Sequence, residues 1–75
     1  MEIILYTLPS CPICHMIKTK LKNRNIDFQE KDFAEIAVQI NSVQAPALQV
    51  VDEQGNTIIY NSPSQMVGWI NQYGE

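Results

Sequence analysis

Two cysteines, Cys11 and Cys14, are separated by two residues and are the only cysteines among the 75 residues of the chain. At this spacing two thiols at the start of a helix can bridge without backbone movement and can exchange disulfides. In such an exchange a thiolate attacks a substrate disulfide, and the second thiol resolves the mixed disulfide that forms. Between them, Pro12 would hold the helix start rigid and Ile13 would offer an apolar contact surface to a substrate.

A helix that begins at Pro12 would divide the roles of the two thiols. Proline suits the first helical position, which makes Cys11 the predicted N-cap residue. The unpaired amides and the dipole at a helix N-terminus favour negative charge and lower the pKa of a thiol there, so we predict that Cys11 is the nucleophile. Cys14 shares helical spacing with Ile17 and Leu21, which predicts that it faces the core as the resolving thiol.

The same segment fits two other chemistries. Cys11, Cys14 and the adjacent His15 could supply three ligands in a metal-binding or metal-carrier protein, although a closed zinc site needs four. Their C-x-x-C-H run is also the pattern for covalent haem attachment, with His15 as proximal ligand and Met66 as a conceivable distal one. The strand pattern does not suit a small helical haem protein. We predict no bound metal or cofactor and keep metal binding as the alternative function.

The elements that position the cysteines follow from the spacing of apolar residues and turn formers. The apolar run that ends before Leu8-Pro9 suits a central strand covered on both faces. Asp32 with Glu35, and Ser62 with Gln65, have the spacing of capping boxes at helix starts. The predicted strands are Glu2–Thr7, about Asp27–Lys31, Ala47–Val51 and Thr57–Tyr60; helices run from Pro12 to about Asn25, from Asp32 and from Pro63, and Ser42–Pro46 is a loop.

This order predicts one α/β domain over residues 1–75. The first β-α-β unit should be a right-handed crossover with parallel strands, and the last two strands should form a hairpin. A four-stranded mixed sheet with three helices results, in the order β-α-β-α-β-β-α. In open sheets of this kind ligands bind beyond the carboxyl ends of the parallel strands, which is where Cys11 falls.

Charge and composition restrict the classes of partner. The net charge is −3, and all five cations lie between residues 18 and 31. Without interleaved basic and aromatic residues, nucleic acid is not a predicted partner. No apolar run is long enough for a membrane span or a signal-peptide core, so we expect the cytoplasm as the location. We also expect a monomer. The cation cluster is either a solvated helix face or a docking surface for an acidic partner.

Three features together make nearly the whole chain similar to a small glutaredoxin: Tyr6, the run Cys11-Pro12-Ile13-Cys14, and the pair Ala45-Pro46. The resemblance implies the thioredoxin fold and a dithiol oxidoreductase that reduces protein or small-molecule disulfides. It also implies that Pro46 is cis and opens the third strand beside the nucleophile, with the main chain of Ala45 bonding the substrate. The implied substrate-binding residues are Tyr6, Pro12, Ile13, Ala45 and Pro46.

The sequence departs from that family in two places that serve to hold glutathione. Leu8 stands where glutaredoxins usually carry a basic residue, and Asn61-Ser62-Pro63-Ser64-Gln65 replaces a Gly-Gly-x-Asp type segment. The run from Cys14-His15 to Asp27-Phe28 looks more like the redoxins that receive electrons from thioredoxin reductase and feed ribonucleotide reductase. The resemblance therefore leaves the reductant open between glutathione and thioredoxin reductase, with a disulfide-containing protein, such as ribonucleotide reductase, as substrate.

Overall fold

The computed structural model describes residues 1–41 and 45–73. Seven elements follow one another in the predicted order. They are β1 (Glu2–Thr7), α1 (Pro12–Asn23), β2 (Gln29–Asp32), α2 (Ala34–Ala37), β3 (Ala47–Val51), β4 (Thr57–Tyr60) and α3 (Pro63–Tyr73). Within the two described ranges no helix is both long and apolar enough to cross a membrane.

The four strands form one mixed sheet in the order β2-β1-β3-β4. β1 runs parallel to β2 and antiparallel to β3, with Leu5 opposite Leu48. β3 and β4 form an antiparallel hairpin. Its turn includes Gly55 at φ +88°, a backbone conformation that favours glycine. The predicted sheet, with a parallel first unit and a terminal hairpin, is confirmed.

β1 is covered on both faces because its side chains alternate between two core clusters. Ile3 and Leu5 belong to the cluster that α1 and α3 cover, together with Leu48. Ile4 and Tyr6 belong to the smaller cluster on the opposite face, under α2. Burying one such side chain stabilises the fold by roughly 1.5–3 kcal/mol. The strand that leads into the cysteine loop is therefore the structural centre of the domain.

The first crossover differs from the prediction at two points, the end of α1 and the start of β2. α1 ends at Asn23 rather than near Asn25, because Asn25 adopts φ +57° and cannot continue a right-handed helix. The Ile26 N–H then bonds to the helix carbonyl of Leu21 at 3.1 Å, and the Ile26 side chain is buried. This turn delays β2, which begins at Gln29 rather than about Asp27.

The predicted capping box of the second helix is wrong. α2 begins at Ala34, and its N-cap residue is Phe33, which makes no side-chain capping bond. Asp32 still pairs with Thr7 in the sheet, one residue too early to be the cap. Its carboxylate instead accepts the Ala34 N–H at 2.9 Å. Of the loop predicted over Ser42–Pro46, positions 42–44 lie outside the described residues. The third helix, α3, begins at Pro63 as predicted.

Candidate redox-active site

Cys11 occupies the N-cap position of α1, at the carboxyl end of β1. Its backbone is extended, with φ −118° and ψ 103°, and Pro12 takes the first helical position. The backbone N–H of Cys14 donates a hydrogen bond to Cys11 Sγ at 3.1 Å. One of the otherwise unpaired amides of the first helical turn is thus directed at this sulfur. That geometry favours a negative charge on Cys11.

The two sulfurs are joined in a disulfide, and the Cα atoms of Cys11 and Cys14 lie 5.2 Å apart. This separation is within the ordinary range for a disulfide, so the bridge fits the undisturbed helix start. The two residues differ in their access to solvent. Cys14 exposes only 2% of its surface and lies on the same helix stripe as the buried Ile17 and Leu21, whereas Cys11 is partly exposed.

Three large apolar side chains close to the cysteines in sequence are exposed. Leu8 (40% exposed), Ile13 (42%) and Met16 (42%) keep large apolar areas in solvent. The sequence analysis predicted an apolar contact surface only for Ile13; it named Leu8 only as the replacement for a basic residue and did not name Met16. Their signal was available, because Met16 lies off the buried stripe of α1 and Leu8 follows the last residue of β1. The segment that carries the disulfide therefore exposes three large apolar side chains to solvent.

The predicted cis proline is present. The Ala45-Pro46 peptide bond is cis, and Pro46 is buried where the chain enters β3. Ala47, the first residue of β3, pairs with Tyr6 near the end of β1. The topology thus brings Ala45 and Pro46 to the end of the sheet from which the loop carrying Cys11 leaves.

Tyr6 lies beneath this end of the sheet rather than on its surface. Its side chain is buried in the cluster covered by α2, and its hydroxyl donates a hydrogen bond to Gln49 Oε1 at 3.0 Å. Pro12 and Ile13, in contrast, are exposed beside the disulfide. The substrate-binding role of these residues, and of Ala45 and Pro46, stays a prediction.

A cleft of about 340 Å³ opens between α1 and β2 beside Cys14. In its wall, Lys18 Nζ forms an ion pair with Glu30 Oε2 at 2.8 Å. The hydroxyl of Thr7 donates to the same oxygen at 2.9 Å. The hydrogen bond from Lys18, and after it the one from Thr7, lowers the pKa of Glu30 below its ordinary value. Lys18, which sequence analysis left without a partner, is engaged with β2.

The lowered pKa of Glu30 gives a prediction for stability. A carboxylate whose pKa falls on folding stabilises the fold at pH values above its ordinary pKa of 4.5. This contribution is lost as the pH falls through the lowered pKa. For a pair this exposed, Glu30→Gln should lower the free energy of unfolding by about 0.2–1 kcal/mol at neutral pH. Urea unfolding should show wild type and variant converging in acid.

Glu53→Gln is the matched control for Glu30→Gln. Glu53 is exposed in the turn between β3 and β4 and makes no ion pair within residues 1–41 and 45–73. Its replacement should leave the neutral-pH free energy of unfolding close to wild type. A difference for Glu30→Gln that stays constant down to strong acid would show that the charge of this carboxylate is not what stabilises the fold.

The geometry gives little support to the metal-binding and haem hypotheses. No group of three His, Cys, Asp or Glu side chains that could hold a metal ion is formed by the residues that the structure describes. Cys11 and Cys14 are bonded to each other. His15 is exposed on α1, whereas Met66 is fully buried in the core, so the two haem ligands of that hypothesis do not share a site.

The sequence also matches the model of a known family, and this match shows the family to which the chain belongs. Residues 3–45, more than half of the chain, match the model of the glutaredoxin family. The chain belongs to the glutaredoxin family. Glutaredoxins form a family of thiol-disulfide oxidoreductases, and in this member the matched region contains both cysteines.

Structural comparison supports the fold of this glutaredoxin-family chain. The trimeric glutathione transferase TDR1 of Leishmania aligns with 97% of the chain at a TM-score of 0.76 and 12% sequence identity. The chain spans only 18% of the length of that transferase. At this identity the similarity shows the fold alone, and it confirms the thioredoxin fold expected from the resemblance. No curated protein matches the sequence significantly.

Proposed function

We propose that this glutaredoxin-family chain is a dithiol oxidoreductase that reduces protein or small-molecule disulfides through Cys11 and Cys14. One observation carries the proposal: the partly exposed Cys11 sulfur accepts a helix N-terminal N–H at 3.1 Å, and the second sulfur lies buried one turn further along the helix. The first arrangement supports a thiolate that a substrate can reach. The second supports a resolving thiol.

In the proposed reaction, the Cys11 thiolate attacks one sulfur of a substrate disulfide. The substrate disulfide breaks, one substrate thiolate leaves, and Cys11 becomes joined to the other substrate sulfur. The Cys14 thiolate then attacks Cys11 Sγ, which releases the second substrate thiolate and forms the Cys11-Cys14 disulfide. The substrate gains two electrons, and the cysteine pair must be reduced again before the next turnover.

The proposed substrate contacts come from both sides of the disulfide. Pro12 and Ile13 present exposed apolar surface at the helix start. Ala45 offers main-chain groups next to the cis bond of Pro46. For Tyr6, the buried ring and its bond to Gln49 support a role in holding the end of β1 in place beneath the contacts.

The proposed electron donor is thioredoxin reductase, with glutathione as the competing candidate that the family implies. All five cations lie between residues 18 and 31, and two of them, Lys18 and Lys31, line the cleft beside Cys14. Lys18 is paired with Glu30, and Asp32 lines the same cleft, so carboxylates balance this positive charge, which supports weak binding of the carboxylates of glutathione. We propose a monomer in the reducing cytoplasm that acts on disulfide-containing proteins, of which ribonucleotide reductase is one candidate.

Reduction of the Cys11-Cys14 disulfide by each donor tests this proposal. The oxidised protein is incubated with glutathione in one sample and with NADPH and thioredoxin reductase in another, and free thiols are counted by alkylation and mass spectrometry. We expect rapid reduction by the reductase and slow reduction by glutathione. Rapid reduction by glutathione alone would reverse the assignment of the donor, and reduction by neither would contradict the oxidoreductase function.

The metal-binding alternative is tested on the same preparation. Protein purified under reducing conditions is assayed for metal content, and an absorbance spectrum is recorded for haem. We expect less than stoichiometric metal and no haem band. A full equivalent of metal that is lost in a Cys14→Ser variant would favour the metal-carrier function instead.

A further inference from the structure

The cleft between α1 and β2 gives the buried Cys14 a polar neighbourhood. Cys14 lines this cleft although it exposes only 2% of its surface. Ionisable side chains of α1 and of β2 line the same space. They are Cys14, His15 and Lys18 on α1, and Glu30, Lys31 and Asp32 on β2.

The resolving step requires that Cys14 lose its proton. Burial raises the pKa of a thiol, because the thiolate loses hydration. The helix amide that favours a thiolate is directed at Cys11 Sγ, not at Cys14. A group in the cleft that accepts a proton near neutral pH and releases it again would speed this step.

Most of the groups that line the cleft cannot do this. Glu30 is engaged by Lys18 and by the Thr7 hydroxyl, and its lowered pKa makes it a weaker base. Asp32 accepts a backbone N–H of α2 at 2.9 Å, and carboxylates are in general far weaker bases than thiolates. The ammonium groups of Lys18 and Lys31 have no acceptor lone pair.

His15 is the remaining ionisable group in this wall. It is exposed, it follows Cys14 directly, and it lines the same cleft. An imidazole takes up and releases a proton between about pH 5 and 8. A general base is most effective when its pKa lies near the working pH, and an imidazole meets this condition for a proton transfer at neutral pH.

We propose that His15 accepts the proton of Cys14 in the resolving step, an inference that rests on the proposed oxidoreductase function. The neutral imidazole takes the thiol proton, and the Cys14 thiolate attacks Cys11 Sγ of the mixed disulfide. The bond between Cys11 and the substrate sulfur breaks as the Cys11-Cys14 bond forms. The departing substrate thiolate then takes the proton from the imidazolium, so that His15 is neutral again.

A stopped-flow reaction of the reduced protein with the aromatic disulfide DTNB separates the two steps. Attack by Cys11 releases the first coloured thiolate, and resolution by Cys14 releases the second. We compare wild type, His15→Gln, and Thr19→Gln as a control, because Thr19 is exposed on α1 and does not line the cleft. The rates of both phases are measured from acid to alkaline pH in buffers free of imidazole.

His15→Gln should leave the first phase unchanged and slow the second about 100-fold at neutral pH, the lower end of the range for general base catalysis, because the open cleft admits water. The second phase of the variant should continue to rise with pH after the wild-type rate has levelled off. Added imidazole should restore it. Equal second-phase rates and pH profiles in His15→Gln and wild type would overturn the proposal, whereas a missing first phase would contradict the oxidoreductase function itself.

Discussion

Cys14→Ser is expected to turn the protein from a turnover catalyst into a trap for its substrate. The Cys11 thiolate can still attack, but no second thiol is present to resolve the mixed disulfide. Incubation of the reduced variant with a protein disulfide should therefore accumulate one covalent adduct per molecule. Non-reducing gel electrophoresis and mass spectrometry detect the adduct and identify Cys11 as the linked residue.

Cys11→Ser is the matched control. It removes the sulfur that receives the helix amide and leaves only the buried Cys14 thiol. Disulfide reduction should fall to the background rate, and no adduct should accumulate. If Cys11→Ser trapped the substrate while Cys14→Ser did not, the roles of the two cysteines would be the reverse of those proposed.

Leu5→Ala is expected to unfold a large fraction of the protein. Leu5 is fully buried at the centre of β1, and truncation of a core leucine costs about 2–5 kcal/mol. A domain of this size has a total stability of only roughly 3–5 kcal/mol. Circular dichroism and urea unfolding should show a greatly reduced midpoint, with loss of disulfide reduction in proportion to the unfolded fraction.

Ile58→Ala provides the comparison, since it truncates an aliphatic side chain of equal size on the edge strand β4. Ile58 is 53% exposed. Its replacement should change the free energy of unfolding by no more than about 0.5 kcal/mol, as expected for a surface position. Equal losses in the two variants would mean that burial in β1 does not dominate the stability of this fold.

Most of the fold could be predicted because its strands have strong local signals. β1, β3 and β4 begin and end at the predicted residues, since each is an apolar run bounded by turn formers. The end of α1 could not be placed, because it depends on the left-handed conformation of Asn25 and on the burial of Ile26. Those are effects of tertiary packing rather than of helix propensity.

The candidate site also has a part that could be predicted from the sequence and a part that could not. Cys11, Pro12 and Cys14 lie within one helical turn, so their geometry follows from the sequence alone. The bond between Lys18 and Glu30 joins α1 to β2, and its formation requires the register of β2 against β1. No spacing rule connects two residues across such a crossover, and the cleft that they border was not predicted either.

The central place of β1 also determines how the protein can open. Its backbone is hydrogen-bonded on both edges, to β2 and to β3, and its side chains belong to both core clusters. Breaking β1 would therefore separate both layers at once, which makes its opening equivalent to global unfolding. α1 has only one buried face and can fray at its ends at a lower cost in free energy. Fluctuations of the native state that uncover Cys14 thus belong to the helix, while the strand that anchors the Cys11 loop stays closed.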